Sequence, residues 1–269
     1  MRPDRCDRET GRRARSGMPR REFVGAGLAA LALPLLPGCG HVTAPKHVFN
    51  APRLDARPGV PTGAAVAGRS DLGLGTDRDG ILYVPATYSP DTPMPLFVAL
   101  HGAGGAATNW ISYFARAEAR GMILLAPDSR MRTWDLVTGS FGPDFLFLDQ
   151  ALQFTFDHCR VDPARIALAG FSDGASYALS MGLPNGDLFT RVVAYSPGFV
   201  EYARPLTGRP RIFVSHGTQD PIFAVAGTRD GIVPSLRGEG YDVTYLEFAG
   251  EHEVPAAVSE TALDWFFAA

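Results

Sequence analysis

Seven short apolar runs recur along the chain: Ile81–Val84, Leu96–Leu100, Met122–Ala126, Arg165–Ala169, Val192–Tyr195, Arg211–Ser215 and Val243–Phe248. Most are continuous rather than alternating. Unbroken apolarity marks strands covered on both faces, because a strand with one wet face alternates. Helix-length stretches lie between the runs, at Asn109–Arg120, Asp144–Cys159, Ser172–Met181, Ala226–Arg237 and Pro255–Phe267. This alternation predicts βαβ units, hence an α/β fold with a mostly parallel central sheet and helices on both faces. Sheets of that kind bind ligands beyond the carboxyl ends of their strands. The residues that follow Leu100, Ala169, Ser215 and Phe248 are therefore the ones to read for chemistry.

The sharpest local feature sits at one of those ends. "RIALAGFSDGASYALSMG", Arg165–Gly182, reads as a buried strand, an abrupt turn and a helix, with Ser172 at the turn and a glycine two residues away on either side. A serine so placed is lifted clear of the sheet. The flanking glycines remove Cβ atoms that would collide with the adjoining strand or helix. The amides opening the next helix favour negative charge at the same point. The five-residue pattern alone is weak, since a serine N-cap suits the same position. The strand before it and the helix after it make a nucleophile the stronger reading.

A serine hydroxyl needs a base to take its proton, and that base is usually a histidine oriented by a carboxylate. "RIFVSHGTQDPIF" places Asp220 after an apolar strand, and "VTYLEFAGEHEVP" places His252 after the next one. The order Ser172, Asp220, His252, each beyond a later strand, is one known arrangement of such machinery. Asp230 and Asp242 are rivals for the acid. Asp230 falls within a helical stretch, and Asp242 precedes its strand and would sit at the wrong sheet edge. His216 is expected to brace the Asp220 loop, and His158 to end a helix in solvent. "LFVALHGAGGAATNW" supplies a glycine-rich loop after Leu100. Acyl transfer needs two backbone N–H groups aimed at the developing oxyanion. The expected pair is the amide of Asp173, next to the nucleophile, and the amide of Ala103 in this loop, with Gly102 and Gly104 as neighbours. No Gly-Lys-Ser/Thr follows, and G-x-G-x-x-G is not met, so phosphate-loop and dinucleotide readings fail.

"LHGAGG", "GFSDGASYALSMGL", "AYSPGF", "SHGTQDPI" and "GEHEV" together resemble the α/β-hydrolase superfamily. More narrowly they resemble its compact bacterial serine esterases: the poly(3-hydroxybutyrate) depolymerase-like, feruloyl esterase-like and phospholipase/carboxylesterase groups. The resemblance covers residues 72–269. It implies the α/β-hydrolase fold, hydrolysis of a carboxylic ester through an acyl-enzyme, no metal and no organic cofactor. Ser196–Pro210 is too short for a sizeable cap domain, so an open site is expected. Asp128–Phe145 is the longest irregular stretch of the body, and Gly102, Gly104, Trp134 and Phe141 are the expected pocket residues. The same scaffold also admits an acyltransferase, or a non-catalytic binding lipoprotein.

The amino-terminal region reads as an address. Residues 1–17 are expected to lie upstream of the natural start at Met18. Residues 18–38 carry a basic start, a short apolar run and small residues, the pattern of an export signal. Arg20-Arg21-Glu22-Phe23-Val24 resembles a twin-arginine motif. Leu36-Pro37-Gly38-Cys39 resembles a lipobox, which makes Cys39 the candidate lipidation site and a lipid anchor to a membrane the candidate attachment; the alternative is plain cleavage near Gly38. Either way the expected location is outside the cytoplasm. Residues 39–70, rich in Pro, Gly and Ala, are expected to be a flexible tether to a domain spanning 71–269. The first 38 residues hold eight Arg and four acids, leaving 17 basic against 24 acidic side chains in the remainder. A body that acidic is a poor partner for nucleic acid. Of the three cysteines, Cys159 remains alone in the body, so no internal disulfide is expected.

Overall fold

The computed structural model describes residues 52–268 apart from Thr76. Eight strands form one sheet: β1 (Gly68–Asp71), β2 (Gly80–Val84), β3 (Met94–Leu100), β4 (Ile123–Pro127), β5 (Val161–Phe171), β6 (Arg191–Tyr195), β7 (Arg211–Gly217) and β8 (Val243–Phe248). Their order is β1-β2-β4-β3-β5-β6-β7-β8. The β1/β2 and β2/β4 pairs are antiparallel, and every pairing from β4 through β8 is parallel. All seven expected strands are present. β1 is the addition; its sequence, GRSD, is polar and alternates between half-buried and exposed, as an edge strand does.

The helices are α1 (Phe114–Arg120, continuing a 3-10 turn over Ala107–Tyr113), α2 (Asp135–Thr138), α3 (Pro143–His158), α4 (Asp173–Gly182), α5 (Val233–Gly238, continuing a π-helical turn over Gly227–Ile232) and α6 (Ala256–Phe267). They cover both faces. Along β3, Leu96, Val98 and Leu100 join one apolar cluster with α3, α4 and α5. Phe97 and Ala99 point the other way and join a second with α1 and α6. Alternate residues thus serve two cores, which is why the strand is apolar throughout. Between β6 and β7 no helix occurs, and the fold carries no cap there. The strand order reverses about β3, with β4 on one side and β5 on the other. That switch point opens a crevice between the loops that follow β3 and β5.

The tether expected over 39–70 needs correction from residue 52 onward. Leu54 and Ala56 are each 1% exposed. The Leu54 amide donates to Asn185 Oδ1 at 2.9 Å, and the Asp55 and Ala56 amides donate to Asp149 Oδ1. Arg53 and Arg57 both pair with Asp187. Further on, the Thr62 and Gly63 amides cap the Asp157 carbonyl near the end of α3. The composition resembles a linker, yet two well-placed apolar side chains and a row of specific donors dock it. Cys39 and the export signal lie outside the described residues.

Leu54→Ala is expected to lower the unfolding free energy by about 2–4 kcal/mol, the usual cost of emptying a buried leucine site. Urea denaturation checks this, and a neutral result would return the segment to the status of a tether.

Candidate active site

The turn from β5 into α4 forces two backbones into close approach. A Cβ on Gly170 would lie 2.1 Å from the Gly174 carbonyl oxygen, and one on Gly174 would lie 2.4 Å from that of Leu100. Neither position tolerates a side chain. Between them Ser172 takes φ 57, ψ −121, a left-handed conformation that costs a non-glycine residue energy. The surrounding packing holds it there: its amide donates to the Tyr195 carbonyl at 2.9 Å. Ser172 is 7% exposed.

His252, beyond β8, reaches Ser172 Oγ with Nε2 at 2.8 Å. Its Nδ1 lies 2.6 Å from Asp220 Oδ2. The imidazole sits between Phe171, whose ring centre is 4.8 Å away, and the edge of Phe223 at 5.5 Å. The Asp220 side chain is buried, and its other oxygen accepts the amides of Ile222 and Phe223 at 2.8 and 2.9 Å. Burial works to raise the Asp220 pKa. The hydrogen bond from His252 and the two amides outweigh it and hold the carboxyl below the ordinary range. The three side chains singled out in the sequence therefore meet in one hydrogen-bonded chain. The two rivals for the acid lie elsewhere. Asp230 is exposed and paired with Arg229, and Asp242 pairs with Arg211 at the opposite end of β7.

The loop after β3 is fixed from inside by His101. Its Nδ1 donates to the Gly102 carbonyl at 2.7 Å, and the Gly105 amide donates to the same oxygen. In a trans peptide the carbonyl and the following N–H point in opposite directions. Pinning the Gly102 carbonyl therefore turns the Ala103 N–H outward. Neither that amide nor the Asp173 amide has an internal acceptor among the described residues. His101 Nε2 accepts the Ser129 amide at 3.0 Å, and burial lowers the His101 pKa against the raising pull of Gly102, which keeps the ring neutral. Gly102 borders the serine: a Cβ there would lie 3.2 Å from Ser172 Cβ. Gly104 is left-handed at φ 70, and its amide donates to the Arg132 carbonyl.

A cavity of about 530 Å³ opens beside this loop, walled by Gly102, Ala103, Trp110, Tyr113, Phe171 and His252 among others. Gly102 thus belongs to the wall as expected. Gly104, Trp134 and Phe141 do not. Trp134 is 1% exposed, and its indole N–H donates to the His101 carbonyl at 2.8 Å. It props the glycine loop from beneath. Phe141 packs edge-on against Tyr177. Both aromatics sit in the irregular stretch that follows β4, but the acceptor that the Trp134 indole finds lies on the core side. Phe171 and Phe223, which flank the imidazole, escaped the sequence reading, although Phe171 adjoins Ser172 and Phe223 lies three residues beyond Asp220. His158 is likewise not simply solvated; its ring stacks on Phe154 and bonds the Phe154 carbonyl. Among the described residues no group of three His, Cys, Asp or Glu side chains is placed to share a metal ion. Cys159 is buried and unpaired, its thiol pushed up to about 12 by burial.

Sheet order, elbow and loop together define an α/β-hydrolase fold. The chain is similar in structure to a carboxylesterase from Bacillus cereus, with a TM-score of 0.54 and 19% identity over 71% of this chain and 94% of that one. In sequence it is 26% identical to feruloyl esterase C of Emericella nidulans over 74% of this chain and 73% of that protein. It is 30% identical to feruloyl esterase B of Thermothelomyces thermophilus over 43% of this chain and 42% of that protein. No family model matches the chain. The fold is thus that of the α/β-hydrolases, and the sequence relatives found are named as esterases.

Because the native pKa of Asp220 lies below its unfolded value of about 3.9, its stabilising contribution is complete above that pH and is lost as pH falls through the lowered native value. Asp220→Asn is expected to be less stable than the parent at pH 7, with the gap closing below about pH 4. Urea denaturation of both proteins across that range decides; a gap independent of pH would show that the carboxylate is not held this way.

Proposed function

We propose that the protein hydrolyses carboxylic esters through an acyl-enzyme on Ser172. The observation that carries this reading is the continuous chain from Ser172 Oγ through His252 to Asp220, at 2.8 and 2.6 Å. His252 Nε2 takes the serine proton as Oγ attacks the ester carbonyl, and returns it to the leaving alcohol. Asp220 holds the ring in the Nδ1–H tautomer and offsets its positive charge. The Ala103 and Asp173 amides bind the oxyanion, each donor of this kind contributing about 3 kcal/mol. Water activated by the same histidine then releases the acid. The cavity beside the loop receives the acyl group. Its aromatic walls, together with relatives named feruloyl esterase, make aromatic acyl esters the first substrates to test.

Beyond the described residues we propose export, with lipid attachment at Cys39; the support is the sequence pattern of residues 18–39. Labelled fatty acid fed to an expressing bacterium is expected to mark the full-length protein, and Cys39→Ser to lose the mark.

Ser172→Ala is expected to lower ester hydrolysis by at least 10³-fold and to abolish labelling by a fluorophosphonate probe, with the melting temperature nearly unchanged. Retained turnover in a nitrophenyl ester assay would remove Ser172 from the reaction.

A further inference from the structure

The reading above leaves unused a buried histidine that touches the acid. His216, on β7, is fully buried. Its Nε2 lies 2.9 Å from the Phe223 carbonyl and 3.1 Å from Asp220 Oδ2, the same oxygen that meets His252. Both neighbours are acceptors, so Nε2 carries a proton shared between them. Its Nδ1 lies 2.8 Å from Thr228 Oγ1, which in turn lies 3.2 Å from the Pro197 carbonyl. The ring is thus fixed at both nitrogens, from the π-helical turn on one side and the acid loop on the other. The remaining charged groups nearby are engaged elsewhere. Glu247, opposite His216 in register on β8, accepts from Tyr245, and Arg229 pairs with Asp230.

We infer that His216 is a positioning residue for the acid of the proposed mechanism: its Nε2–H ties the Phe223 carbonyl to Asp220 Oδ2 and thereby fixes the loop over 217–223 so that this oxygen faces His252. The inference rests on the triad reading. A carboxylate has two oxygens and turns readily about its χ2 torsion. Ile222 and Phe223 hold Oδ1, but they belong to the same loop and move with it. His216 is anchored in the sheet, so it references the loop to the scaffold that also carries Ser172. Its proton also satisfies a second lone pair on Oδ2 without removing the negative charge that His252 needs.

The test compares three variants at position 216 by steady-state hydrolysis of a nitrophenyl ester. Leu removes the donor. Gln places an amide N–H near the position of Nε2. Asn is polar and reaches Thr228 but falls short of Asp220. His216→Leu is expected to lower kcat about 10- to 100-fold, the scale of a small misplacement in an active site, with KM within about threefold. His216→Gln should recover most of the rate. If the Leu variant does not fold, the Asn variant takes its place in the comparison with Gln. A parental rate in the variant lacking the donor would overturn the inference, and so would a Gln variant as impaired as Leu or Asn. Failure of the triad reading is distinct, since it would leave Ser172→Ala active whatever position 216 does.

Discussion

Everything at the reactive end of the sheet depends on how closely α4 is driven against the end of β3. Gly174 lies so near the Leu100 and His101 carbonyls that a methyl group would overlap both, at 2.4 and 2.5 Å. That approach has two results. It holds Ser172 in a left-handed conformation that an isolated peptide would leave. It also brings the first amides of α4 alongside the loop that carries Ala103. Ser172 and the Asp173 amide are thus set beside the Ala103 loop by one steric contact between two backbones.

The charged half of the site is organised on a different principle. The Asp220 side chain is buried, and burial by itself favours the neutral acid. Directed donors reverse that preference: two amides of its own loop and the imidazole of His252. The carboxylate stays ionised inside the protein because each oxygen has a partner, which is the condition for keeping a charge away from water. Two phenyl rings then confine the imidazole. The rings pack against it without competing for its nitrogens.

The legible parts of the sequence were those written in local chemistry. Apolar runs marked the parallel strands, since a strand with helices on both sides has no wet face. Ser172, Asp220 and His252 were legible because each follows a strand, and ends of neighbouring parallel strands converge in any such sheet. What stayed hidden depended on contacts remote in the chain. Trp134 was read as a pocket wall because its strand-end position is that of a ligand-binding residue; only the location of its hydrogen-bond acceptor, His101 O, shows that it faces the core. Residues 52–57 have the composition of a linker. Their docking rests on Asn185, Asp187 and Asp149, more than ninety positions later. Strand β1 pairs through its backbone, and four polar letters carry no trace of that.

The docked amino-terminal segment has a geometric consequence. Leu54 bonds Asn185 just past the far end of α4, the helix whose opposite end carries Ser172. The first described residues therefore dock at the end of α4 opposite Ser172. Anything joined at Pro52 is therefore separated from Ser172 by the length of that helix, about 15 Å for ten residues.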